Sequence, residues 1–211
     1  MAYQYDVFIS YKSESKDWVL KAFLPLFERH LQEALGGRKP SIFMDMQRIE
    51  NGDAWRNTLR YALAHSRCVV AVLTPSYFHS EWCTKELSVM LHRAKQHGLL
   101  TKEIPGGLIA PLCVSDGEHF PQLVQEIQQE RLHDYYSFAE AFPLTKPYVK
   151  FEKQLKKWLP IVANIIRRAP EWQPEWLEDA WLEVPHQDLL IGQPPFAAFT
   201  LKLEPDRHEK K

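Results

Sequence analysis

Residues Cys68 to Leu73, within CVVAVLT, are an unbroken apolar run that is closed by Pro75. A strand with one face in water alternates apolar and polar side chains, whereas a strand covered on both faces need not. The run therefore predicts a central strand of a sheet with helices on either side. It is far shorter than the roughly 18 residues that a membrane-spanning helix requires.

The neighbouring segments supply the rest of such a sheet. YDVFISY at 5–11 reads as a short buried strand. Ser13 and Ser15 are placed to cap a following helix, in which Trp18, Val19, Ala22, Phe23, Leu26, Phe27 and Leu31 recur at helical spacing. Pro25 should kink that helix, and Gly36-Gly37 should end it. A second strand is expected over 41–45, then a loop to Gly52 and a helix over 53–66 that turns Trp55, Leu59, Ala62 and Leu63 inward. After the central strand, a helix over about 81–97 has Ser80 as its N-cap and Gly98 beyond its end. A fourth strand near 107–114, an amphipathic helix over about 120–130 and a fifth strand near 132–136 follow. The last helix, over about 147–168, carries Phe151, Leu155, Leu159, Val162 and Ile166 on one side. Alternating strands and helices predict an α/β fold with a parallel sheet and helices on both faces. The handedness of βαβ crossovers leaves few topologies, and we expect the five-stranded flavodoxin-like order 2-1-3-4-5.

From Ala169 the texture changes. Six of the fifteen prolines fall in residues 169–211, together with Trp172, Trp176 and Trp181. So much proline forbids a long helix, and three indoles are too many for a free linker. The chain is thus expected to divide into a domain over 1–168 and a Pro/Trp-rich extension over 169–211. The tryptophans of the extension should be buried, either on the domain's own surface or in a partner, and away from any ligand. A chain of 211 residues accommodates this, and 45% apolar with 25% charged residues is ordinary globular composition. A net charge of −1 without long runs of one sign argues against a nucleic-acid tract. MAYQYDVF lacks the features of a signal peptide. Three cysteines, an odd number without CxxC spacing, argue against a disulfide framework or a zinc site. The cytoplasm is the expected compartment.

In open α/β sheets, ligands bind beyond the carboxyl ends of the strands where strand order reverses. In the order 2-1-3-4-5 that place lies between the first and third strands. Their ends deliver Ser10, Tyr11 and Lys12 on one side, and Thr74, Pro75, Ser76 and Tyr77 on the other. The next helix opens SEWCTKEL, in which Trp82 and Glu86 are four apart and share a helix face. Taken singly, a helix tryptophan is more often core and a helix glutamate more often solvated. Glu81 and Lys85 suit a surface i,i+4 pair, and Cys83 a small packing role.

At these residues the chain resembles a known family. YDVFISY at 5–11, FMDMQRIENGDAW at 43–55, SRCVVAVLTPSYFHSEWCTKEL at 66–87 and the late F-x-x-x-L-x-x-W helix are similar to the Toll/interleukin-1 receptor (TIR) domains, above all bacterial ones. The resemblance implies a flavodoxin-like module that self-associates. In one branch of the family such modules are adaptors; in another they cleave NAD to nicotinamide and ADP-ribose or a cyclic isomer, often in immunity. The catalytic branch uses a glutamate in a W-x-x-x-E pattern, which Trp82 to Glu86 satisfies. The resemblance therefore implies a catalytic role for Glu86 and substrate contact by Trp82. It further implies a nucleotide edge over Phe8, Ser10, Tyr11 and Lys12, with Asp45 and Gly52 bounding a mobile loop and Trp55 and Tyr77 close by. Lys12 stands where many enzymatic members have arginine, and lysine binds phosphate without arginine's fork.

One carboxylate suffices for such chemistry. Nicotinamide leaves a cationic pyridinium as a neutral molecule, so no general acid is needed, in contrast to ordinary glycosidases. The electron-poor ribose left behind needs a negative charge, which Glu86 could supply by electrostatics, by holding the hydroxyls or by covalent capture. Trp82 could stack on the pyridinium. NAD would be the substrate, with no cofactor, and no metal is expected since no HExxH spacing occurs. The expected partners are other copies of the domain, with another chain or domain on residues 169–211. The competing expectations are a non-catalytic TIR adaptor and a nucleoside deoxyribosyltransferase. A receiver domain is disfavoured, because Ser10-Tyr11 and Thr74-Pro75 stand where it needs acids.

Overall fold

The computed structural model describes residues 2–44, 53–101, 105–115, 117–118, 120–125, 127 and 129–179. Five parallel strands, β1 Tyr5–Tyr11, β2 Ile42–Met44, β3 Ser66–Leu73, β4 Ile109–Cys113 and β5 Glu130–Arg131, lie in the order β2-β1-β3-β4-β5. This is the expected order. The central run is apolar throughout because successive side chains enter different cores. Cys68, Val70 and Val72 face a cluster built on the first and last long helices, and Val69, Ala71 and Leu73 face a second cluster on the other side.

The first helical segment is broken. After a 3-10 turn Ser13–Ser15 and a single turn α1 Lys16–Trp18, the chain makes a π-wound turn Val19–Phe23 and then α2 Leu24–Ala34. The disturbance expected at Pro25 takes this form. Proline has no N–H to give the carbonyl four residues back and crowds it, and a wider turn just ahead relieves both problems. Ser13 and Ser15 make no side-chain cap. Ser15 instead shares a 2.8 Å hydrogen bond with the hydroxyl of Tyr136.

On the other face lie α3 Asp53–Ala64 and α4 Glu81–Gln96. α3 ends two residues earlier than expected, and Ser66 opens β3 opposite Tyr5. Gly98, with φ +61°, lies just past α4 as expected. The long closing helix, α6 Lys146–Arg168, is capped by Thr145, whose hydroxyl accepts from the Tyr148 N–H.

Two expectations are corrected. The amphipathic helix foreseen over 120–130 is only α5 Gln122–Gln125. The Ile127 N–H tightens onto the Val124 carbonyl, which the Gln129 side-chain amide also takes at 2.7 Å, and this turn stops the helix. The fifth strand is Glu130–Arg131, not 132–136. Leu132 is fully buried and donates to the Cys113 carbonyl, and His133–Tyr135 then coil into a 3-10 turn. That turn presents the Tyr135 carbonyl to the indole N–H of buried Trp18, at 2.8 Å.

Residues 170–179 strap the amino end of the sheet and finish in one turn, α7 Trp176–Asp179. Trp172 stacks on His65 (centroids 4.9 Å, planes 5° apart), and its indole N–H donates to the Ala64 carbonyl. Trp176 is buried, with the Arg93 guanidinium 4.0 Å from its ring centre and Tyr3 and His97 beside it. Arg93 also donates to the Ser66 carbonyl, and burial pulls its pKa down to about 10. The Tyr3 hydroxyl donates to the Pro170 carbonyl, and Arg60 donates to that of Leu177. Both indoles thus pack on the chain's own surface, at the end of the sheet away from the crevice; Trp181 lies outside the described residues.

Candidate active site

The crevice opens beyond the adjacent carboxyl ends of β1 and β3, where Ser10 pairs with Ala71 and Tyr11 with Val72. The two-residue period of β1 sends Ser10 toward α3 and α4, and Tyr11 to the opposite face. Tyr11 is buried in the core with Trp18 and Phe23. Its backbone still serves the site side, where its carbonyl accepts from the Cys83 thiol at 3.7 Å. Phe8, two residues below Ser10, is also buried and stacks on Phe43 (5.2 Å, 25°). Tyr11 thus lies on the other face of the sheet, and Phe8 lies beneath Ser10 on the same face.

β3 hands over to a 3-10 turn, Pro75–His79, whose N-cap Thr74 accepts from the Tyr77 N–H. That turn points Tyr77 inward, and its hydroxyl lies 2.7 Å from Ser10 Oγ and donates to the Cys83 carbonyl at 3.0 Å. Ser80 then caps α4 by accepting from the Cys83 N–H, as expected, and Thr84 bonds back to the Ser80 carbonyl. The cap fixes where α4 starts, and hence which residues of its first two turns face β1.

Glu86 is one of them. Its side chain is 2% exposed, and Oε2 accepts from Ser10 Oγ at 2.5 Å. A carboxylate withdrawn from water is costly unless hydrogen bonds replace its hydration, and Ser10 supplies one. One turn back, Trp82 is half-buried at the mouth and meets Trp55 of α3 edge-on (5.4 Å, 80°). Arg56 and Lys85 approach the Trp82 ring at 5.4 and 5.5 Å, and Lys85 also pairs with Glu81 at 2.6 Å, the pair expected from spacing. Across the crevice, Ser76 donates to the carboxylate of Glu14, which ties the loop after β1 to the turn after β3. Lys12, half-buried, begins that loop. Cys83 is buried, in keeping with packing.

The structure therefore gathers Ser10, Tyr77, Glu86, Trp82 and Trp55 into one neighbourhood and leaves Lys12 at its rim. It turns Tyr11 to the other face of the sheet and buries Phe8 beneath Ser10, and Asp45 and Gly52 lie outside the described residues. Arg56 and Glu14 were not anticipated. Arg56 follows Trp55 in sequence, but only the packing of α3 beside α4 brings it to Trp82. Among the described residues, no group of three or more His, Cys, Asp or Glu could hold a metal ion. No helix among them is long and apolar enough to cross a membrane.

Known proteins are similar to this chain in sequence. NAD(+) hydrolase TcpA of Theionarchaea archaeon is 31% identical over 105 residues, which are 50% of this chain and 27% of that protein. The 2' cyclic ADP-D-ribose synthase BtTIR of Bacteroides thetaiotaomicron is 31% identical over 90 residues, 43% of this chain and 29% of that protein. The chain thus spans less than a third of the length of these relatives. Among solved structures, the TIR domain of the Toll-related receptor TRR-2 from Hydra magnipapillata superposes with a TM-score of 0.46 at 18% identity, over 72% of this chain and 99% of that one. The family model described as TIR domain matches residues 7–143, well over half of the sequence. The chain belongs to the TIR domain family.

Proposed function

We propose that this chain cleaves the nicotinamide–ribose bond of NAD, releasing nicotinamide and ADP-ribose or a cyclic isomer of it, with Glu86 as the catalytic carboxylate. The observation that carries the reading is the placement of Glu86. It is a buried carboxylate at the strand-order crevice, hydrogen-bonded to Ser10 and one helical turn from a half-exposed tryptophan. The names of the two relatives, an NAD hydrolase and a cyclic ADP-ribose synthase, support it. As the glycosidic bond breaks, positive charge gathers on the ribose, and a carboxylate held in a site that excludes water stabilises it strongly.

In this reading NAD is the substrate, and no cofactor or metal takes part. Trp82 forms the wall against which the nicotinamide ring packs. Arg56 and Lys85 already lie near that ring, so a cationic pyridinium gains less from Trp82 than an isolated indole would offer. The same two cations repel the charged substrate ring more than the neutral product, which favours bond cleavage over ground-state binding. Residues 1–168 are the catalytic domain, 169–211 an extension, and defence signalling in the cytoplasm through contacts between copies is the setting.

The test is incubation of the pure chain with NAD and chromatographic detection of nicotinamide, beside the Glu86→Gln variant. Loss of one stabilising group of this kind costs about 100-fold or more. Nicotinamide release that is equal in the two proteins, both natively folded by circular dichroism, removes Glu86 from the reaction. Release by neither leaves the chain an adaptor.

A further inference from the structure

The three oxygens around Glu86 hold more contacts than they have hydrogens. Ser10 Oγ lies 2.5 Å from Glu86 Oε2 and 2.7 Å from the Tyr77 hydroxyl, which in turn lies 3.0 Å from the Cys83 carbonyl. The Cys83 carbonyl can only accept, and each hydroxyl has one hydrogen to give. Two hydrogens therefore face three contacts. When Glu86 is ionised, Ser10 donates to the carboxylate and Tyr77 donates to the Cys83 carbonyl.

Both hydroxyl residues are closed off. Ser10 is 1% exposed and Tyr77 0%. Each belongs to an element that cannot shift alone: Ser10 sits within the β1–β3 ladder, and Tyr77 sits in a turn locked by Thr74.

We propose that Ser10 and Tyr77 are positioning residues rather than substrate contacts, a hydroxyl relay that holds Glu86 in one rotamer and supplies the hydrogen bond that favours its ionised form. The assignment rests on the NAD-cleaving reading for its kinetic consequences, though not for the relay itself. The surrounding elements bring other charged or titratable groups to this end of the sheet: Glu81, Cys83 and Lys85 on α4, Arg56 on α3, and Lys12 and Glu14 after β1. None of these is altered in the variants below.

The experiment compares the full chain with its Ser10→Ala, Ser10→Thr and Tyr77→Phe variants. Circular dichroism and thermal melting confirm the fold of each. A hydrogen bond to a charged group corresponds to roughly a 10- to 100-fold effect. Ser10→Ala should lower kcat by about 10-fold or more with little change in KM, and should move the acid limb of the pH profile to higher pH. Tyr77→Phe should lower kcat by less, and Ser10→Thr should restore both of the quantities that Ser10→Ala changes. In a Glu86→Gln background, NAD binding measured by calorimetry should be unchanged by Ser10→Ala. A raised KM with an unmoved pH profile, or weaker NAD binding in the double variant, would make Ser10 a substrate contact and overturn the assignment. If the unaltered chain releases no nicotinamide, only the NAD reading falls. The relay is then judged by NMR titration of the glutamate side-chain carboxyl carbons, where a Glu86 midpoint that Ser10→Ala leaves in place overturns it.

Discussion

Replacing Trp176 by alanine should destabilise the whole domain, although the residue lies beyond the last long helix. Trp176 is 3% exposed and its ring carries the Arg93 guanidinium at 4.0 Å. Burying an indole removes about 150–250 Å² from water, and at about 25 cal/mol/Å² that corresponds to ~4–6 kcal/mol. This is an upper bound, since an unfolded chain already buries part of that area. The strap can also detach, so the loss cannot exceed the free energy with which it is docked. We expect about 2–4 kcal/mol, somewhat below the roughly 3–5 kcal/mol of large-to-small substitutions at buried aromatic positions where no such escape exists. Part of the loss falls on Arg93, which keeps the Ser66 carbonyl but loses its aromatic cover. Urea unfolding followed by far-UV circular dichroism measures it, and truncation after Arg168 should cost at least as much. A loss under about 1 kcal/mol in both proteins, with unchanged m-values, would refute the argument that this strap is part of the folded core.

Three further outcomes are expected. Tyr3, pushed up to about 12 mainly by burial, should ionise well after an ordinary tyrosine. Its raised pKa means that its contribution to stability is complete below pH 10 and is lost as pH rises toward 12. Tyr3→Phe should remove the corresponding late step in an absorbance titration, and a titration identical to that of the parent excludes this. Gly107→Ala should cost more than about 2 kcal/mol in calorimetry: φ is +59°, and a Cβ there would lie 2.5 Å from that of Ala94. A melting temperature equal to the parent's would mean the loop moves freely. Nicotinamide release per molecule should rise with protein concentration if copies complete one another's sites, and a flat value in protein that stays monomeric by light scattering contradicts it.

Much of this was legible in the residues, and the exceptions have physical reasons. The apolar run at 68–73 requires two cores, and two cores are what the alternating side chains of β3 fill. Ser80 and Gly98 bound α4 because a hydroxyl and a positive φ are local requirements that sequence displays. The meeting of Trp82 and Glu86 near the crevice follows from spacing and strand order. The inward turn of Tyr77 depends on Thr74 capping a 3-10 turn, a choice made by the burial of the ring. Strand alternation already implied that Ser10 and Tyr11 part company, and Tyr11 lies in the opposite core. α5 and β5 were misplaced because such short elements are decided by individual partners. For these the partners are the side-chain amide of Gln129, the carbonyl of Cys113 and the indole of Trp18.

The strap also gives the molecule a mechanical character. Arg93, which Trp176 holds, and Glu86 stand on the same rigid helix, seven residues apart, so about two turns or 10 Å of α4 separate them. α3 is gripped in the same way, by the Trp172 indole at Ala64, while Trp55 lies near its other end. Tension applied to the chain after residue 179 therefore enters the fold at the feet of the two helices whose heads carry Trp55, Trp82 and Glu86. A pull that frees the two indoles releases both helix feet at once, so the extension works as a handle on the crevice end of the sheet without approaching it.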